Sequence, residues 1–315
     1  MSSSSVLFDA PGPKARRLSM LLSIVAGILI LAGLGWMAFV LAAPRPVSGG
    51  LVLPGMFNPS RWDIFADPRV WNLIWSRGIV GTLSAAAAAA AIALALGVLF
   101  SLLRSSQIAW VRVPTAVVLE FFRGMPVLLM MLFILLVAST GTFWAVVLAL
   151  GVYNGALIGE ALRAGLVALP RGQREAGLSL GMRPMQSKMF IEFPQAFRQM
   201  LPVILAQLVV LLKDTSLGYI VGYNELIRTT MNNLASFYGN RYLFSLFAVT
   251  LVIYLIMNLS LSWFARWLSR RTASGGGRAG RQGKSGLPVD PDQATLVALA
   301  SAQARTSETT QGASR

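Results

Sequence analysis

The sequence predicts an all-α membrane protein with six transmembrane helices, and three observations carry that reading. Only 12% of the 315 residues are charged while 55% are hydrophobic, whereas a soluble domain carries about 25% charged side chains. Six stretches reach the roughly 20 apolar residues that cross a bilayer: about 18–43, 79–103, 113–138, 143–165, 201–222 and 242–265. The cationic side chains gather between those stretches instead of alternating with aromatics on a polar surface. The net charge of +15 therefore reads as a topology signal and not as a nucleic-acid footprint. With no Cys and no His, disulfides, thiol catalysis, Cys/His metal sites and His proton relays are excluded. No catalytic residue, metal or cofactor is expected in the chain.

The first span follows Lys14, Arg16 and Arg17 and invites comparison with a signal peptide. Its apolar core far exceeds the roughly 7–15 residues of such a peptide, and a cut after Ala43 would leave Leu41 where a small residue belongs. An uncleaved anchor helix is expected. The segment 44–78 carries Arg45, Arg61, Arg69 and Arg77 beside Trp62, Trp71 and Trp75, which predicts an outer loop lying on the membrane interface as an aromatic belt. In the second span the run Ala85 to Ala91, with Gly81 and Gly97 nearby, predicts a helix buried by close packing of small residues.

Most of the 27 Lys and Arg residues fall on one side when the N-terminus is placed in the cytoplasm. Lys14, Arg16, Arg17, Arg104, Arg112, Arg171, Arg174, Arg183, Lys188, Arg198 and the tail then lie inside, and both termini are expected in the cytoplasm of a plasma-membrane protein. The tail from about 272, rich in Gly, Ser, Gln and Arg, cannot bury a core and predicts disorder. Its Gly283-Lys284-Ser285 imitates the end of a phosphate-binding loop, but Arg278 stands where that motif needs Gly.

The segment between spans four and five, about 166–200, is the most informative. It predicts a short amphipathic helix, a break at Gly181 and Pro184, a second short helix, and Pro194 opening the next span. A loop of this length with helical patterning is not a simple turn, and a short helix with small residues on one side suits a partner's groove.

Glu175, Ala176, Gly181, Ile191 and Pro194 stand at the spacing Glu-Ala-Ala, three residues, Gly, nine residues, Ile-x-Leu-Pro. That spacing resembles the permease subunits of bacterial ATP-binding-cassette (ABC) importers, with Gly177 replacing the third-position Ala and Phe193 the Leu. The resemblance implies that this loop, with Gly172 and Gln173, docks into a separate ATPase. Relative to Ala, Gly177 is expected to soften the first short helix by about 1 kcal/mol. Further runs resemble polar amino-acid importers: Glu120-Phe121-Phe122-Arg123-Gly124-Met125-Pro126, Tyr153-Asn154, Glu160 to Arg163, and Lys213-Asp214-Thr215-Ser216-Leu217. The opening Val6 to Lys14 resembles actinobacterial glutamate-uptake permeases. The family implies a type I importer core in the last five spans, with residues 1–76 as an N-terminal anchor and outer loop, 77–268 as the transport domain, and 269–315 as the tail. It implies as partners two ATPase subunits that bind the ATP, a second related or identical permease, an extracellular binding protein, a polar amino acid (glutamate foremost) and membrane lipid.

Charges within the spans need an explanation, since each costs at least about 2.5 kcal/mol near a helix centre. Glu120 with Arg123 and Glu160 with Arg163 stand i, i+3 and can pair on one helix face, either fixing packing or acting at an inner gate. Lys213 and Asp214, expected near the middle of span five, point about 100° apart and each needs another partner. With Thr215 and Ser216 they are candidates for a substrate pathway, because an amino acid offers both signs; a buried structural role is the alternative. Two rival functions have less behind them, since no convincing inverted repeat is seen and His and Cys are absent. An ion-gradient transporter would show an inverted repeat with broken midplane helices, and an intramembrane enzyme would use Ser216 with Lys213.

Overall fold

The computed structural model describes residues 13–47 and 51–273. The opening run up to residue 12, the Gly283-Lys284-Ser285 segment and the tail from residue 274 lie outside the described residues.

Helix α1 (Pro13–Ala42) is apolar on every side beyond Arg17, and its side chains are exposed nearly throughout. It leads into a small antiparallel ribbon of β1 (Arg45–Val47) and β2 (Leu51–Leu53). The expected outer loop 44–78 is more ordered than its composition suggests. After two short 3-10 turns the chain enters α2 (Pro68–Leu73), which runs through a wide turn at Ile74–Ile79 into α3 (Val80–Arg104). Trp71 and Trp75 thus stand on a continuous helix of 37 residues. Asp67 starts it by accepting the Arg69 amide at 2.8 Å. Arg61 is not an interfacial charge but is buried, donating to the carbonyls of Pro54 and Arg241, each at 3.0 Å.

The expected span 113–138 divides into α4 (Ala109–Gly124) and α5 (Val127–Ala138), bent by 101°. Pro126 forces the preceding residue out of the helical region, and Met125 has ψ 129°. Among the described residues five helices are long and apolar enough to cross a membrane, and the count reaches six when this bent pair forms one span.

Helix α6 (Thr142–Ala168) is the centre of the bundle and packs on α3, on α4 and α5, and on a helix introduced below. Ala85, Ala89, Ala93 and Gly97 line one face of α3 at four-residue spacing and are buried, as the Ala run predicts. Opposite them stand Gly151, Gly155 and Gly159 of α6, where an added Cβ would come within 2.7–2.9 Å of α3 side chains. In lipid no water is released between helices, so this closeness is the main source of their attraction.

After α6 come α7 (Arg171–Ser179) and α8 (Pro184–Ser187). The latter continues through a wide turn at Lys188–Glu192 into α9 (Phe193–Asp214), giving one 36-residue helix from Pro184 to Tyr219. Pro194 therefore does not open a separate span. The wide turn just before it absorbs the missing amide and the ring. Beyond Tyr219 the chain forms a compact cap, ending in α10 (Ala235–Tyr238), before α11 (Leu243–Ala273) returns along the bundle. In the last turns of α11 the Arg271 guanidinium lies over the Trp267 ring, 4.1 Å from its centre.

Candidate functional site

The loop end of the bundle presents the α7–α8 pair. Helix α7 ends by a Schellman closure. The Met182 amide donates to the Gly177 carbonyl at 3.2 Å, and the Gly181 amide donates to that of Leu178 at 3.0 Å. Gly181 has φ +79°, a conformation that L side chains enter only with strain, so the expected break lies where the sequence places it. Gly172, Gln173, Glu175 and Ala176 are all exposed. Leu180 and Phe190 are 82% and 73% exposed, with Met185 and Met189 beside them. Apolar side chains exposed on a polar loop form a patch of the kind that interaction sites use.

The underside of α7 fits tightly against the chain that follows. Gly177 is buried, and a Cβ there would lie 2.7 Å from Ser187 Oγ and 2.9 Å from Ile191 Cδ1. Its missing side chain is thus a contact surface, a packing role in addition to the propensity effect. Ile191 fills that contact, and Gln195 Nε2 donates to Gln173 Oε1 at 3.2 Å to hold α7 over α9.

Both i, i+3 pairs form. Arg163 donates to Glu160 Oε1 through Nε at 2.9 Å and Nη2 at 2.6 Å, and Arg123 Nη1 reaches Glu120 Oε1 at 3.2 Å. The charges of Arg104 and Arg123 also act on Glu160, so the two pairs are neighbours towards the loop end.

Lys213 and Asp214 are not near the middle of their helix. They are the last residues of α9, where it tightens into the 3-10 turn Thr215–Tyr219. Gln207 of α9, which meets Asn154 of α6, precedes Lys213 by about 9 Å along the axis at 1.5 Å per residue. No ion pair among the described residues includes Lys213 or Asp214. Lys213 and Ser216 line a largely apolar groove of about 410 Å³, together with Thr250, Tyr254 and Asn258 of α11. Thr215 is buried beside Tyr254, and its hydroxyl donates to the Leu212 carbonyl at 2.7 Å.

Sequence reasoning missed Glu225, which is fully buried. Its carboxyl group accepts the amides of Ile227 at 2.8 Å and Arg228 at 2.7 Å, capping the helix that ends in α10, and takes the Tyr254 hydroxyl at 2.7 Å. Tyr254 also lines the Lys213 groove, so this buried carboxyl group is one hydrogen bond from it. The available signal was a carboxylate between two apolar runs, in Gly222-Tyr223-Asn224-Glu225-Leu226.

A family model described as the binding-protein-dependent transport system inner membrane component matches residues 93–274, which contain the whole α7–α8 loop and the Lys213 groove. The chain belongs to this family. As an inner membrane component of such a system it is an integral membrane protein. It is 36% identical over 247 residues to the glutamate transport system permease protein GluD of Corynebacterium glutamicum, across 76% of this chain and 89% of that one. With the glutamate/aspartate import permease protein GltK of Escherichia coli it shares 31% identity, across 62% of this chain and 92% of that one. A solved amino acid ABC transporter with histidines superposes with a TM-score of 0.59 at 28% identity, over 66% of this chain and 98% of that one. A chain of the MetNI methionine ABC transporter in an inward-facing conformation shares the fold, with a TM-score of 0.54 at 20% identity.

Proposed function

We propose that this component is the permease subunit of an ABC importer for a polar amino acid, with glutamate as the foremost candidate. The observation that carries the reading is the α7–α8 loop, a short helix closed by Gly181 and capped by exposed apolar side chains at the end of the bundle. In this reading both termini and the loop face the cytoplasm, and the loop seats in one of two ATPase subunits that bind the ATP. A second permease, identical or related, completes the pathway, and an extracellular binding protein delivers substrate to the opposite end. The 36% identical GluD carries glutamate in its name, while relatives at 31% are named for glutamate/aspartate or for glutamine, all polar amino acids. Lys213, Ser216 and the Glu225–Tyr254 pair are the polar groups a zwitterion would meet, and the pairs at Glu120 and Glu160 lie towards the inner mouth.

Nucleotide-driven closure of the ATPases would move the loop, and a rigid loop transmits that motion to α6 and α9. The test is uptake of labelled glutamate in cells co-expressing the permease, its ATPase and its binding protein, with other polar amino acids as competitors. Gly181→Asp should abolish uptake while membrane insertion persists; uptake near wild type would refute the docking role. Alkaline phosphatase fused after residue 285 should stay inactive if the tail is cytoplasmic.

A further inference from the structure

Six cationic side chains converge on a cleft of about 290 Å³ at the loop end. Arg104 and Arg112 flank the α3–α4 turn, Arg163 comes from the end of α6, Arg171 and Arg174 from α7, and Lys188 from the wide turn before α9. One carboxylate, Glu192, lies in the wall, buried and accepting the Ser187 hydroxyl at 3.3 Å. Glu160 nearby is held by Arg163. Among the described residues no ion pair includes Arg104, Arg112, Arg171, Arg174 or Lys188. Lys188 Nζ donates to the Ser105 carbonyl at 2.5 Å and so ties the α3–α4 turn to the loop. The Ser105 hydroxyl, also in the wall, is buried without a hydrogen-bond partner. Like charges gathered around one void repel each other unless an anion enters it.

A second groove of about 390 Å³ adjoins the cleft and shares Ser106, Gln107, Arg174 and Lys188 with it. Its other walls are mainly apolar, from Leu102, Leu103, Ile108, Val111 and Met185. A cationic cleft that opens into an apolar groove has the shape of an amphiphile with an anionic head. The adjoining start of α4 presents Trp110, 89% exposed, above exposed Val113 and Val117, the arrangement of a helix at a membrane interface.

We propose that the two cavities form one site for an anionic phospholipid of the cytoplasmic leaflet, its phosphate in the arginine cleft and an acyl chain along the groove. Basic pockets between helices on the cytoplasmic side suit such headgroups. The bound lipid bridges the α3–α4 turn and α7, and so steadies the loop that meets the ATPase. The choice of leaflet rests on the orientation proposed above; binding itself is read without transport, so failure of one reading is distinguishable from failure of the other.

The test is native mass spectrometry of the full-length chain in detergent, titrated with phosphatidylglycerol and with phosphatidylcholine of the same acyl chains. Phosphatidylglycerol should be retained and phosphatidylcholine lost. Arg104→Gln with Arg112→Gln should weaken retention about 30-fold, from about 1 kcal/mol per cation removed, while Arg69→Gln with Arg77→Gln at the other end changes nothing. Equal retention of the two lipids overturns the proposal. Displacement of the lipid by millimolar inorganic phosphate also overturns it, marking a free-anion site. A double variant that keeps its lipid but no longer co-purifies with the ATPase overturns it in favour of a protein contact. If the double variant fails to fold, the lipid preference and phosphate competition of the wild-type chain decide.

Discussion

Gln207 Nε2 donates to Asn154 Oδ1 at 2.7 Å, and Asn154 Nδ2 donates in turn to the Leu150 carbonyl at 2.8 Å. Asn154 is fully buried at the middle of α6, so this pair is a polar clasp between the two helices that continue into the loop end. Inside a bundle a satisfied pair adds about 1 kcal/mol, whereas a widowed partner costs about 1–3 kcal/mol.

Asn154→Leu should therefore destabilise the purified permease by about 1–3 kcal/mol, read as a lower melting temperature in detergent. Adding Gln207→Leu should recover much of that loss, because both polar groups are then gone. A double variant as unstable as the sum of the singles would show that the clasp is not a unit.

Gly177→Ala sets two effects against each other. Helix propensity favours Ala by about 1 kcal/mol, but the new Cβ would stand 2.7 Å from Ser187 Oγ and 3.1 Å from Ser187 Cβ. Ser187 is buried and cannot swing away, so α7 should lift off α8. Expected is a several-fold loss of uptake with normal insertion, relieved by Ser187→Gly. Uptake at or above wild type would mean that propensity wins.

Asp214→Asn keeps the side-chain shape and removes its charge. Since no ion pair holds Asp214 among the described residues, assembly yield and melting temperature should stay near wild type while uptake falls. A buried structural pair would instead lose about 3–5 kcal/mol of stability. Lys213→Met should alter substrate preference as well as rate if the cation meets a substrate carboxylate at the groove.

The Tyr238 hydroxyl donates to Asp67 Oδ2 at 2.7 Å at the end opposite the loop. That bond, with the Arg69 amide, holds the Asp67 carboxyl below its usual range. A carboxylate depressed in the folded state contributes stability above its unfolded value near 3.9 and loses it as pH falls through the folded value. Tyr238→Phe should thus lower the melting temperature at pH 7, and the gap should close once acid protonates Asp67 in both proteins. A gap independent of pH would point to packing of the ring alone.

Some of this was legible early for plain reasons. The i, i+3 spacing of Glu160 and Arg163 is a property of helix geometry, and it gave the observed pair. The Gly181 break was legible because a glycine after an amphipathic run is the usual left-handed stop. Glu225 was not, because its partners Tyr254 and the amides of Ile227 and Arg228 are assembled only when the cap folds back on α11. The place of Lys213 at the end of α9 was not legible either, because apolar length alone does not tell where a helix tightens into a 3-10 turn.

By itself the sequence determined the class and most of the elements: the apolar runs exceed what water tolerates, and the spacing from Glu175 to Pro194 marks the loop. It also determined the packing face of α3, since small residues at four-residue intervals admit another backbone. Only the tertiary structure decided which groups meet across elements. The bend at Pro126, the Asn154–Gln207 clasp, the fit of Gly177 against Ser187 and the joining of Arg104, Arg171 and Lys188 around one cleft bring together residues from separate helices. Local propensity and periodicity report on a residue's own turn of helix; which distant side chain completes a hydrogen bond or an excess of charge depends on how whole helices pack.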